Sequence, residues 1–181
     1  MSGPERPATP ATSRLPLRVA DVLETFIDRF GRWTSWSALV LVVLVATNVI
    51  LRYLFRIGPV SLQELEWHLI SPVALIGMSY AMRHGEHVRV DIFYEKFSKT
   101  VQQWIDLFAA VVTVIVSMII IKLSLGLVGQ AYASLEGSPD PGGLPYRFVL
   151  KSFIPFGFFL LSLQALAQAL HIGIQLGRRH G

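Results

Sequence analysis

The sequence predicts an all-α integral membrane protein of four transmembrane helices with both termini on the cytoplasmic side. Three observations predict it. Four long apolar runs are separated by charged or Pro/Gly-rich segments, 52% of the residues are hydrophobic against 15% charged with a mean hydropathy of +0.52, and Lys and Arg gather in alternate loops. Each span takes about 20 apolar residues, so four of them use nearly half of the 181 residues and leave little for a soluble domain. The absence of cysteine excludes disulfides, thiolate-held iron–sulfur clusters and Cys-based zinc sites. The formal charge of +4 comes from basic residues that flank apolar runs, where membrane orientation accounts for them and nucleic-acid binding is not expected.

Residues 1–16 are rich in Pro, Ser, Thr and Ala without apolar periodicity, which predicts a disordered tail and no signal peptide. A four-helix membrane domain is expected over 17–176. In 17–32, Val19, Val22, Leu23, Phe26, Ile27 and Phe30 recur at helical spacing with Asp21, Glu24, Asp28 and Arg29 on the other face. This predicts an amphipathic helix lying in the membrane interface or against a partner. The first span, 33–54, is built on the uncharged run 33–51, with Trp33 and Trp36 at one end and Arg52, Tyr53 and Arg56 at the other, the collar expected at headgroups. Gly58 and Pro59 mark a turn. Ser61-Leu-Gln-Glu64 then has the form of a capping box and opens span two, 62–83, bent near Pro72. A short surface helix is expected over 91–101, where Phe93, Phe97 and Val101 keep a helical stripe. Span three covers 104–129. Residues 136–146 form a Pro/Gly-rich loop, span four covers 150–174, and a basic tail occupies 177–181.

The amino-terminal segment, the loop after span two and the tail hold eleven Lys and Arg, against four (Arg52, Arg56, Arg147, Lys151) in the other two loops. Positive charge is retained in the cytoplasm, which places both ends inside. No internal repeat suggests an inverted-repeat transporter core.

Glu64, His68 and Ser71 follow at four and three residues and so share a face at the outer end of span two. Two readings stand side by side: a proton relay or cation site, or helix capping by Glu64 with His68 near the interface or a partner. Lys122 lies roughly 22 Å along span three from Leu107; its amine either snorkels to the outer interface or faces a partner subunit. The histidines invite a haem, and His84 with His171 is the pair that could lie at equal depth. A haem-binding membrane anchor of an oxidoreductase is therefore the alternative to a transporter subunit. No Ser/His/Asp arrangement, phosphate loop or two-His metal motif is visible, so no enzyme activity, metal or cofactor is expected.

The segment Gly77-Met-Ser-Tyr-Ala-Met-Arg-His-Gly-Glu-His-Val-Arg-Val-Asp91, sharpest at His87-Val-Arg-Val-Asp91, resembles the end of span two and the following motif in the small (DctQ-type) membrane subunit of TRAP transporters. Glu64 matches an acidic position usual in that family. Ser138-Pro-Asp-Pro-Gly-Gly-Leu-Pro145, with Lys151 and Pro155-Phe-Gly157, is similar to one branch of it. The resemblance implies a multi-pass protein of the bacterial inner membrane. In such a system an extracytoplasmic binding protein captures an organic acid, a large membrane subunit moves it with sodium ions, and the small subunit braces the large one. The implied partners are that large subunit, the binding protein and membrane lipid. Arg83, His87, Arg89 and Asp91 are then either fold-defining or partner contacts, with Arg83 and Arg89 at lipid phosphates and Asp91 capping the next helix. Asp140, Gly142, Gly143 and Pro145 offer an outer-loop contact for the binding protein.

Overall fold

The computed structural model describes residues 14–85, 94 and 96–180, with side chains described from Ala20 to Gly177 within them. Those residues form four helices: α1 (Arg14–Leu54), α2 (Val60–His84), α3 (Lys99–Ala133) and α4 (Arg147–His180). Three of them, α1, α3 and α4, contain windows long and apolar enough to cross a membrane. The fourth, α2, does not reach that hydropathy, because Glu64, Glu66 and Arg83 interrupt its apolar residues.

Helix α1 is 41 residues long, about 62 Å at 1.5 Å per residue. The segment expected to lie apart in the interface, 17–32, is thus continuous with the first apolar run. Its packing differs from a simple amphipathic surface helix. Ala20, Ile27 and Thr34 are buried at seven-residue intervals, while Val22 is 69% exposed. The carboxylates of Glu24 and Asp28 turn toward α2 and α4, because basic groups on those helices await them. Helix α1 ends where the Phe55 and Ile57 N–H groups both donate to Leu51 O at 3.1 Å and Arg56 takes a left-handed φ of 58°.

Helix α2 starts two residues earlier than a capping box would require. Its N-cap is Pro59, in extended geometry and with no side-chain cap, so Ser61 is already helical and cannot cap. It stops at Gly85, whose φ of 74° turns the chain out of the helix. Of the surface helix expected over 91–101, residues 91–93 and 95 lie outside the described residues, as do His87 and Arg89; the part described from 96 onward is not a separate helix, because 96–98 form a turn and bend and 99–101 already belong to α3. Where description resumes, the Ser98 hydroxyl accepts from Val101 N–H and opens α3. Gln102 Nε2 donates to Tyr94 O and Phe97 O at 3.0 Å, tying the approach to the helix.

The four helices run alternately up and down. Gly31 of α1 meets Tyr80 of α2, and Asn48 meets Glu66; Gln103 of α3 meets Gln175 of α4, and Tyr132 meets Phe148. Helices α1, α2 and α4 touch one another mutually, whereas α3 packs extensively on α4 and at most marginally on α1 and α2. The α3 seam is a heptad of small residues, Ala110, Ser117, Ser124 and Ala131, all buried. In lipid no hydrophobic drive brings helices together, so close backbone approach at small residues supplies the packing. Gly157 does the same where α4 crosses α2: a Cβ there would stand 2.6 Å from Leu75 Cβ and 2.9 Å from its carbonyl oxygen.

Candidate functional site

The polar side chains collect at the two ends of the bundle. At the α2 start, Glu64 reaches across to the loop between α3 and α4. One carboxylate oxygen accepts from the Ser138 hydroxyl, the other accepts from Leu144 N–H at 2.5 Å, and Arg147 Nη2 lies 3.6 Å away. The loop is folded to present these donors. Ser138 N–H donates to Leu144 O at 3.0 Å, Gly143 N–H donates to Asp140 O at 3.0 Å, and Asp140 N–H donates to Ser138 Oγ at 3.1 Å. Gly142 carries a φ of 82°. Gly143 must lack a side chain because a Cβ would collide with Ser138 and approach Glu64 Oε2 to 2.8 Å. Beside this anchor Lys151 pairs with Glu136 at 2.5 Å, closing the neck of the loop, and Arg147 N–H donates to Glu136 O at 2.8 Å.

Glu64 is therefore a loop anchor rather than the carboxylate of a capping box: with the cap position taken by Pro59, its side chain is free to satisfy the loop. His68 Nδ1 lies 2.8 Å from Glu64 O, a local helix contact. Between them and the loop opens a cleft of about 250 Å³ lined by Gln63, Trp67, His68, Asp140, Arg147 and neighbours. Asp140, Gly142 and Pro145 are exposed around its rim or on the loop beside it.

At the opposite end Arg83, expected at lipid phosphates, instead pairs with Asp28 at 2.9 Å and lies 3.9 Å from Glu24. An arginine with two carboxylates in reach on a packed neighbouring helix gains more from them than from mobile headgroups. His84 Nε2 is 4.0 Å from Asp28, and His171 Nε2 is 3.1 Å from Glu24. Each imidazole of the pair considered for haem thus faces an α1 carboxylate. Asp21, Glu24 and His171 bring potential ligand atoms within 4.8 Å of one another, but Arg83 already supplies positive charge beside them. His87, Arg89 and Asp91 lie outside the described residues. Sequence reasoning overlooked Glu66, whose Oε1 accepts from Asn48 Nδ2 at 2.8 Å. A carboxylate inside an apolar helix was the signal that could have found it.

These end clusters tie the helices together, and the described cleft is a shallow one at the loop end. Comparison with curated protein sequences gives no match, whereas the family model for tripartite ATP-independent periplasmic transporters, DctQ component, matches residues 41–172 and lends the haem-anchor alternative no support. Multi-pass helices, the Glu64-anchored loop between the last two of them and a family match over most of the length converge: the chain belongs to the DctQ component family, the small permease component of TRAP transporters.

Proposed function

We propose that this chain braces the large membrane subunit of a TRAP transporter in the bacterial inner membrane, for sodium-coupled uptake of an organic acid delivered by an extracytoplasmic binding protein. It does so as a non-catalytic four-span subunit with both termini cytoplasmic. The observation that carries this reading is the inverted distribution of side-chain size. The bundle is filled with Ala and Ser where α3 meets α4, while Trp33, Trp36, Trp67, Phe108 and Leu123 are each about 70% exposed or more. A bundle packed on small residues and apolar outside suits contact with lipid and another membrane protein better than enclosure of a passage.

Helix α2 is the fourth span in this reading. Its 25 residues measure about 37 Å, enough for a hydrocarbon core of about 30 Å. Its low hydropathy has a local cause: Glu64, Glu66 and Arg83 find partners in the loop, on Asn48 and on Asp28. The loop end, with Asp140, Gly142, Gly143 and Pro145, then faces outward, where the binding protein docks. His87, Arg89 and Asp91 are on the cytoplasmic side in this reading, as fold-defining or partner-contacting residues. Coexpression with the neighbouring genes tests this. The chain should copurify with a large permease, and sodium-driven uptake into proteoliposomes should require both. Uptake by this chain alone, or failure ever to associate with a large permease, overturns the reading.

A further inference from the structure

Helix α3 stands at the edge of the bundle, held by α4 along its small-residue seam, and most of its circumference is uncovered. On that uncovered side sits one cation. Lys122 is exposed about 160° round the helix from buried Ser124, at 100° per residue. No ion pair or hydrogen bond among the described residues engages it. It divides an otherwise uncharged stretch, with fifteen residues (107–121) on one side and thirteen (123–135) on the other. Lys122 thus lies near the middle of that uncharged stretch, about 20 Å from either end of it.

Snorkelling does not relieve it. The nearer helix end, Ala133, is about 16 Å away and Lys99 about 35 Å. Helical side chains lean toward the N-terminus, so the four-carbon stem points along the longer route. An ammonium held in the middle of an apolar span requires a counter-charge or a polar cavity. The surrounding surface has room for a helix that brings one. Met118 and Ile115, one and two turns before Lys122, are more than half exposed, and Gly126 and Gly129, one and two turns beyond, have nothing within 4 Å of where a Cβ would stand. Because exposed apolar residues surround the outer side of α3, periodicity alone selects no face; the charge does. The two glycines leave a shallow recess beside it in which a second helix can approach closely.

We propose that the α3 face centred on Lys122 is a docking face for a transmembrane helix of the large membrane subunit, one that presents an Asp or Glu carboxylate at the level of Lys122 to pair with the ammonium. This rests on the bracing role proposed above and adds to it the face used and the chemistry of the partner.

The test uses the coexpressed complex. Lys122→Arg should recover the large subunit at the wild-type level, whereas Lys122→Leu and Lys122→Glu should lower its recovery about tenfold or more, and a Glu/Asp→Lys change in the large subunit should restore Lys122→Glu. The chain contains no cysteine, so Ile119→Cys carrying a benzophenone maleimide reports the neighbour directly, and the expected product contains the large subunit. Thermal unfolding of the isolated Lys122→Leu chain in detergent should match wild type, which separates docking from folding. Wild-type recovery by Lys122→Leu overturns the proposal in favour of a lipid-facing lysine, and a cross-link between two copies of this chain overturns it in favour of self-association. If the wild-type chain itself recovers no large subunit, the bracing role falls, an outcome distinct from a failure confined to the Lys122 variants.

Discussion

Glu64 shows what one carboxylate can do at the end of an apolar bundle. It satisfies a backbone N–H and a hydroxyl of a loop eighty residues away in sequence, and Arg147 balances its charge. Glu64→Gln keeps an acceptor for Leu144 N–H but forfeits the pairing with Arg147, whereas Glu64→Ala forfeits both. Limited proteolysis of the loop should therefore accelerate in the order wild type, Glu64→Gln, Glu64→Ala; equal rates for Glu64→Ala and wild type would show that the carboxylate does not anchor the loop. Gly143→Ala should loosen the same loop, because its Cβ has no space against Ser138 and Glu64. Glu64 was legible in the sequence as an unusual polar residue. Its partners were not, because hydrogen bonds across such a separation leave no local pattern.

At the scale of elements, the small-residue heptad of α3 and the glycine crossing of α4 over α2 determine how closely the helices approach. Ser117 is 1% exposed on the seam, so Ser117→Leu should destabilise the bundle by about 1–3 kcal/mol through overpacking. Leu123→Ala, at a side chain 70% exposed, should change the same detergent melt by less than about 0.5 kcal/mol. Gly157→Val, driven against the Leu75 backbone, should cost at least as much as Ser117→Leu. The apolar runs made α1, α3 and α4 readable as long helices. The continuity of α1 from Arg14 to Leu54 was not, because a charged face at 17–32 resembles a solvated one until basic partners on α2 and α4 are brought against it.

For the whole molecule, the described chain ends share one end of the bundle, where Glu24 near the start of α1 meets His171 near the end of α4. The proposed orientation, with both termini inside, predicts that a single cysteine at Asp140→Cys reacts with a membrane-impermeant maleimide in intact cells and that one at Gly177→Cys reacts only after permeabilisation. The reverse pattern would invert the topology. The cysteine-free chain allows both measurements without a background.

Sequence alone determined that this is a helical, multi-pass protein of the DctQ family, because hydropathy, charge bias and the short motif after α2 are local properties that survive without coordinates. Tertiary structure decided what the polar residues are for. Arg83 left the lipid phosphates for Asp28, Glu64 left the helix cap for the loop, and α3 was placed at the edge of the bundle with Lys122 uncovered. The physical reason is the same in each case: a charged group in an apolar setting takes the best partner within reach, and reach is set by which helices pack together.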